Sequence, residues 1–125
     1  MFELKVITSF AAAHRLTMVA QQCENLHGHN WKVEVCVAGK SLDAGGVLMD
    51  FGIIKKQVRK IVGRLDHTYL NESATFTNTP PSSENIAVYI AEEVQKMFQA
   101  TPTFWVSKVL VWESDDACAT YIVER

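Results

Sequence analysis

The chain has 125 residues, of which 48% are hydrophobic, and its formal net charge is −2. This length is typical of one folded domain, so we interpret residues 1–125 as a single unit. The charge is close to neutral and no run of Lys and Arg exceeds two residues. Both features argue against nucleic acid and against an anionic membrane surface as partners.

The N-terminus and the cysteines indicate the compartment. The first ten residues alternate apolar and polar side chains, whereas a secretion signal needs a continuous apolar run. No apolar stretch approaches the roughly 18 residues that indicate a membrane-spanning helix. The three cysteines, Cys23, Cys36 and Cys118, are odd in number and lack CxxC spacing. A disulfide framework is therefore not expected, and we predict a cytoplasmic protein.

Two N-terminal segments have the period of a β-strand. Apolar residues fall on the even positions from Phe2 to His14 and on the odd positions from His27 to Val37. Each segment therefore predicts a strand with one apolar face. The segment between them, Leu16 to Leu26, is too long for a tight hairpin and predicts an exposed excursion that carries Cys23.

The rest of the chain predicts two helices and then two strands. Asp50 is a candidate N-cap for a helix whose apolar residues recur down to Leu65, and Ser82 or Ser83 caps a second helix. Strands over Phe104–Glu113 and Ala117–Glu124 follow. The order β-β-α-α-β-β predicts an α+β fold, an antiparallel sheet with both helices on one face.

The second face of that sheet is too apolar for a solvated surface. Ile7, Ala11 and Ala13 occupy the odd positions of the first strand. A four-stranded sheet would also leave its edge strands unpaired, which natural proteins avoid. We therefore expect self-association.

Three histidines share the apolar faces of the two N-terminal strands, namely His14, His27 and His29. An H-x-H pair alone is a weak signal, but a buried imidazole needs a partner for its ring nitrogens. Residues i and i+2 of a strand point the same way, so His27 and His29 can join His14 on a neighbouring strand around one metal. Three imidazoles with a fourth position open are typical of catalytic zinc.

Other interpretations of these residues remain open at this point. Cys23 could be a fourth ligand, which would make a structural Cys1His3 zinc site. It could also be an exposed loop thiol, or a thiol whose thiolate form is favoured by a nearby dication. Asp66-His67 could be an ordinary helix terminus, with a cation at the C-terminal end of the first helix.

Several motifs together resemble the 6-pyruvoyl-tetrahydropterin synthase family. They span nearly the whole chain in the family's order, and the three residues between Cys23 and His27 resemble its bacterial 6-carboxy-5,6,7,8-tetrahydropterin synthase branch. The motifs are Phe10-Ala11-Ala12-Ala13-His14-Arg15, Cys23-Glu24-Asn25-Leu26-His27-Gly28-His29, Gly46-Val47-Leu48-Met49-Asp50-Phe51, Leu65-Asp66-His67-Thr68-Tyr69-Leu70-Asn71, Ser82-Ser83-Glu84-Asn85-Ile86-Ala87 and Val111-Trp112-Glu113-Ser114.

The resemblance implies a fold and a set of roles. The fold is the tunnelling fold, in which sheets from several subunits close into a β-barrel, with a hexamer built from two trimers and active sites at subunit interfaces. The implied roles are zinc on His14, His27 and His29, proton transfer by Cys23, Asp66 and His67, and pterin binding by Glu113, Ser82 and Ser83. Where family members often carry threonine, this chain has Ser82 and Ser83, which keep the hydroxyl donors.

The same resemblance implies an activity. A zinc-dependent lyase would convert 7,8-dihydroneopterin triphosphate to 6-carboxy-5,6,7,8-tetrahydropterin, acetaldehyde and triphosphate, on the way to queuosine-type deazapurines. The alternative within the family is the 6-pyruvoyl synthase reaction, which eliminates triphosphate and keeps the carbon side chain. The alternative outside it is a non-catalytic zinc-binding protein with the Cys1His3 site.

Overall fold

The computed structural model describes residues 1–16, 26–98 and 103–124. They form an α+β fold, as predicted, in which one five-stranded sheet carries two α-helices. In chain order the elements are β1 (Phe2–His14), β2 (His27–Gly39), α1 (Phe51–Gly63), β3 (Thr68–Tyr69), α2 (Ser83–Gln95), β4 (Phe104–Ser114) and β5 (Ala117–Ile122). The strand order across the sheet is β3-β1-β2-β4-β5.

The predicted helix starts are confirmed by their caps. The Asp50 side chain accepts a hydrogen bond from the backbone N–H of Gly52 at 2.8 Å, and Ser82 Oγ accepts one from the N–H of Asn85 at 3.1 Å. Each cap satisfies one of the backbone donors that the first helical turn leaves without a partner. Helix α2 is thereby anchored beside the segment that ends at Pro81.

The core lies between the helices and one face of the sheet. Alternate residues of β1 and β2 face it, and they meet the buried apolar stripes of α1 and α2. Both helices therefore cover the same face of the sheet, as the residue pattern predicted. The fully buried members with less than 2% exposure include Trp31, Val33, Ile54, Val58 and Ile90.

The opposite face is partly polar, and a buried carboxylate lies on it. Glu34 is 7% exposed, and it accepts a hydrogen bond from the indole Nε1 of Trp112 at 2.5 Å. The Lys5 ammonium lies 3.4 Å from the same carboxylate, whereas Ile7 on this face is 56% exposed. This sheet does not close on itself within one chain.

Strand β3 was not predicted. It has two residues and pairs in parallel with Ala12 and Ala13 at the edge of β1, while the other strand pairs are antiparallel. Two residues carry no measurable periodicity, so only the tertiary pairing defines this strand.

Among the described residues, no helix is long and apolar enough to cross a membrane.

Candidate functional site

The register of β1 and β2 brings the sequence-predicted histidines together. His14 pairs directly with His27, and Ala12 pairs with His29. Since side chains two residues apart on a strand share a face, the His14 and His29 side chains lie on the core face. The position of the His27 side chain falls outside the described part of the structure, as does the whole of Cys23.

His14 is buried and its ring is held in one orientation. The side chain is 1% exposed, and Nδ1 lies 2.8 Å from the carbonyl oxygen of Pro81. A carbonyl oxygen can only accept a hydrogen bond, so Nδ1 carries the proton. In the neutral ring the lone pair is then on Nε2. Metal-binding histidines are commonly oriented in this way, by a hydrogen bond from the ring nitrogen that does not bind the metal.

Glu113 completes the cluster from β4. Its Oε1 lies 3.1 Å from Nε2 of His14 and 2.9 Å from Nε2 of His29. The His29 side chain is 21% exposed, but its Nε2 is shielded from solvent. The ligand atoms of these three residues all lie within 4.8 Å of one another.

This donor set fits a zinc ion. Imidazole nitrogens and a carboxylate oxygen are its usual ligands besides thiolate, and zinc can bind them at about 2.0–2.2 Å in tetrahedral geometry. Three groups with lone pairs directed at one point also repel one another unless a proton or a cation lies between them. The residues that could hold the ion are His14, His29 and Glu113, and His27 lies opposite His14 in the pairing.

Trp31 forms a rigid wall behind the two histidines. It has no solvent exposure, and its ring centroid lies 4.9 Å from that of His14 and 5.2 Å from that of His29, both edge-on. Its Nε1 donates to the carbonyl oxygen of Ala12 at 3.3 Å, and Phe10 stacks on it. The packing therefore restricts both imidazoles before any ligand arrives.

Asp66 and His67 form a second pair, next to the edge of β1 that pairs with β3. Asp66 Oδ2 lies 2.9 Å from Nδ1 of His67, and Oδ1 accepts from the backbone N–H of Ala11 at 2.9 Å. That backbone hydrogen bond, followed by the one with His67, lowers the pKa of Asp66 below its ordinary value. The carboxylate is thus held in its charged form beside the imidazole.

The backbone of His67 is strained. Its φ is 56°, in the left-handed region that non-glycine residues seldom adopt. A 2.6 Å hydrogen bond from its N–H to the carbonyl oxygen of Ala11 holds it there, while 83% of its side chain is exposed. Strain of this kind is often found at functional sites.

Among the described residues, His67 lies outside the group of His14, His29 and Glu113 whose ligand atoms converge. It lines a cavity of about 340 Å³ together with Ala12, His29, Thr68 and four residues at alternate positions of β1 and β2, which are Ala11, Ala13, Gly28 and Asn30. Along β1 and β2 these four positions alternate with those of His14 and His29, so they face away from the core. His29 therefore belongs both to that group and to the wall of the His67 cavity, whereas Asp66 belongs to neither.

The two predicted pterin-binding serines differ in their surroundings. Ser83 lines a cavity of about 190 Å³ with Glu113, Glu84 and Cys118. The Ser82 oxygen is engaged as the helix cap. Ser83 thus lies beside Glu113, whereas Ser82 supports the helix that carries Ser83.

Two features of the site were not predicted from the sequence. The alternation of β4 places Glu113 on the same face as the buried Val109 and Val111, so strand phase could have indicated its closeness to the histidines. The role of the Pro81 carbonyl had no sequence signal, because a backbone oxygen is common to all residues.

Comparison with known proteins identifies the family. Residues 3–124 match the family described as 6-pyruvoyl tetrahydropterin synthase. A relative from Bacillus subtilis, named 6-carboxy-5,6,7,8-tetrahydropterin synthase, is 36% identical over 99 residues, which cover 75% of this chain and 66% of that protein. A protein of Archaeoglobus fulgidus that provisionally carries the same name is 39% identical over 114 residues, covering 91% and 90%.

A solved structure supports the same conclusion. The structure of Caenorhabditis elegans 6-pyruvoyl tetrahydropterin synthase is similar with a TM-score of 0.84 and 25% identity, covering 98% of this chain and 96% of that one. The fold is therefore the predicted tunnelling-type fold. The chain belongs to the 6-pyruvoyl tetrahydropterin synthase family.

Proposed function

We propose that this protein is a zinc-dependent 6-carboxy-5,6,7,8-tetrahydropterin synthase that acts on 7,8-dihydroneopterin triphosphate. The observation that carries the proposal is the convergence of His14, His29 and Glu113 within 4.8 Å, in a chain whose family is known. Two relatives with the carboxy-synthase name favour this reaction. Its product would serve queuosine-type deazapurine synthesis.

The proposed metal ligands are His14, His27 and His29. Zinc held there would act as a Lewis acid toward the hydroxyl oxygens of the pterin side chain, making the neighbouring C–H bonds more acidic. The hydrogen bond from His14 to the Pro81 carbonyl and the Trp31 wall fix the ring orientations in advance. Such fixed ligands reduce the reorganisation that the reaction requires.

Glu113 is proposed to hold the pterin ring. A carboxylate can accept two parallel hydrogen bonds from an aminopyrimidine edge, as it does from a guanidinium group. Its 34% exposed side chain borders the cavity that Ser83 also lines. A ring bound there would extend its side chain toward the neighbouring imidazoles.

Proton transfer is assigned to Cys23, Asp66 and His67. The Cys23 thiolate would remove a side-chain proton, and His67, oriented by the Asp66 carboxylate, would return a proton to the ring or to the departing fragment. Within the described part of one chain, Asp66 and His67 do not join the group of converging ligand atoms, and we propose that they serve the histidine cluster of a second copy of the chain. The protein would then be a homo-oligomer, and we propose a hexamer built from two trimers.

Two alternatives predict different chemistry. The C. elegans 6-pyruvoyl tetrahydropterin synthase shares the fold, so triphosphate elimination without loss of side-chain carbon is the second candidate. A non-catalytic zinc protein with Cys23 as fourth ligand is the third. In that case, removing the metal would unfold the chain and no pterin would bind.

Product analysis separates these candidates. Zinc-loaded protein is incubated with 7,8-dihydroneopterin triphosphate, and the products are identified by mass spectrometry. We expect 6-carboxytetrahydropterin together with acetaldehyde. A pyruvoyl product would assign the sibling reaction, and unchanged substrate with a metal-dependent fold would support the non-catalytic protein.

Two matched variants test the assigned roles. His29→Ala should lose bound zinc. Its zinc affinity should fall by more than the roughly 10–100-fold that follows when only a hydrogen-bond partner of a metal ligand is removed. His67→Ala should keep zinc at one ion per chain and lose turnover. Equal metal loss in both variants would contradict the assignment, and so would full turnover in Cys23→Ala.

A further inference from the structure

A third cavity, distinct from those that contain Glu113 and His67, lies beside the end of β1. It has a volume of about 350 Å³, within the range of about 300–1,000 Å³ that is usual for small-molecule sites. Its lining is mostly polar. The lining residues are Arg15, Asn71, Phe76, Thr77, Asn78, Thr79, Pro80 and Pro81.

The cavity adjoins the histidine cluster through two direct links. Arg15 follows His14 in the chain, and Pro81, whose carbonyl oxygen binds Nδ1 of His14, forms part of the cavity wall. Pro81 thus contacts the buried imidazole and also lines the cavity. No residue of the Glu113 cavity lines it.

The backbone of Arg15 is fixed at this position. Its N–H donates to Oδ1 of Asn71 at 2.8 Å, and its carbonyl oxygen accepts from Nδ2 of the same side chain at 2.7 Å. This two-way clamp holds the base of the Arg15 side chain, although the residue itself is exposed. A fixed base reduces the conformational entropy that the guanidinium loses when it binds a ligand.

The charge and the hydrogen-bond donors of the cavity suit an anion. Among the described residues that line the cavity, Arg15 is the only charged one, and none carries a carboxylate. Asn78 and Thr79 also line the cavity, and their side chains carry hydrogen-bond donors. A guanidinium matches the paired oxygens of a phosphate and remains charged at any physiological pH.

We propose that this cavity binds the phosphate chain of the substrate, with Arg15 as its main contact and Asn78 and Thr79 as additional donors. The assignment rests on the proposed function. In 7,8-dihydroneopterin triphosphate the phosphate chain begins one carbon beyond the side-chain hydroxyls. A substrate whose hydroxyls reach the imidazoles would therefore carry its phosphates close to His14, and Arg15 is the residue that follows His14 in the chain.

The test compares two fluorescent ligands that differ only in their phosphates. Neopterin and neopterin triphosphate are fully oxidised, and their aromatic ring makes the internal redox step unfavourable, so equilibrium binding to the zinc-loaded protein can be measured. We expect the triphosphate to bind at least about tenfold more tightly, since a hydrogen bond to a charged group contributes roughly 1.5–3 kcal/mol.

Arg15→Gln should abolish that difference. The variant should weaken neopterin triphosphate by roughly 10- to 100-fold and leave the affinity for neopterin unchanged. The matched control is Arg59→Gln, which makes the same change at an exposed position of α1. An Arg15→Gln protein that still prefers the triphosphate would overturn the assignment, and so would equal weakening of both ligands.

A second probe separates this proposal from the proposed function. Inorganic pyrophosphate is titrated by calorimetry into both proteins, with zinc content measured afterwards. If neither pterin binds the wild type but pyrophosphate binds in an Arg15-dependent way, the anion site stands and the pterin function fails. If both pterins bind equally well and pyrophosphate does not bind, the pterin function stands and the anion site fails.

Discussion

Oε1 of Glu113 lies 3.1 Å from Nε2 of His14, although 99 residues separate them in the chain. The carboxylate that we propose binds the pterin thus lies beside a histidine that we propose binds the metal. The geometry allows two roles for Glu113. It can anchor the pterin ring beside the metal, or it can bind the metal itself.

Glu113→Gln distinguishes these roles. The amide keeps the size of the side chain, but an NH2 donor replaces one of the two acceptor oxygens, so the two parallel hydrogen bonds from a pterin are lost. We expect zinc content to stay at the wild-type level while neopterin affinity falls by about 10- to 100-fold. Metal analysis and fluorescence titration measure the two effects. Asp115→Asn, in the exposed turn between β4 and β5, is the control for charge. Loss of zinc with intact pterin affinity would make Glu113 a metal ligand.

Trp31→Phe should weaken both the fold and the metal site. The phenyl ring loses the Nε1 hydrogen bond to Ala12 and part of the wall behind His14 and His29. We expect the free energy of unfolding to fall by about 1–3 kcal/mol, measured in urea at fixed protein concentration. Zinc affinity should fall in the same variant because the imidazoles are less restricted. Unchanged zinc affinity would show that the tryptophan acts on stability alone.

The two adjacent serines should give opposite phenotypes. Ser82→Ala removes the N-cap of α2, so unfolding should become easier by about 1 kcal/mol. Ser83→Ala removes no cap and should leave stability within about 0.5 kcal/mol. The Ser83 hydroxyl borders the Glu113 cavity, so this second variant should show the weaker pterin binding. Thermal unfolding and neopterin titration of both proteins provide the comparison.

Glu34 should contribute to acid sensitivity. Burial raises the pKa of this carboxyl, but hydrogen bonds from Trp112 and Lys5 outweigh it, so that the pKa lies below the ordinary value of 4.5. The unfolded chain then takes up this proton at higher pH than the folded protein. Its stabilising effect is therefore present above the ordinary value and is lost as the pH falls through the folded pKa.

Urea unfolding from about pH 6 to pH 3 measures this effect. Wild-type stability should fall more steeply than that of Glu34→Gln, which lacks the titrating group. Glu92→Gln removes the same charge from an exposed position of α2 and should follow the wild-type curve. Parallel curves for Glu34→Gln and the wild type would refute the linkage.

Periodicity and capping chemistry predicted most of the fold, because those signals are local. Asp50 and Ser82 begin the helices where a short polar side chain precedes an apolar stripe. The β1 and β2 phases likewise placed His14 and His29 on one face. Strand β3 escaped prediction because Thr68 and Tyr69 are extended only through their pairing with β1.

Features that depend on distant partners could not be predicted from local sequence. Glu34 occupies a polar position in the β2 alternation, yet Trp112 from β4 helps to bury it. Similarly, the family motifs include Asp66 and His67 without indicating what these residues contact. Both form hydrogen bonds with the backbone of Ala11, which is 55 residues or more away in the chain.

Under the proposed function, the use of one copy's His67 at another copy's histidine cluster has a genetic consequence. Each catalytic centre would combine one copy's histidine cluster with another copy's acid–base pair. A His29→Ala chain and a His67→Ala chain, each inactive alone, could then assemble into mixed oligomers in which some centres are intact. Such interallelic complementation would make activity a property of the pair of chains, and a defect in one copy could be masked by its neighbour.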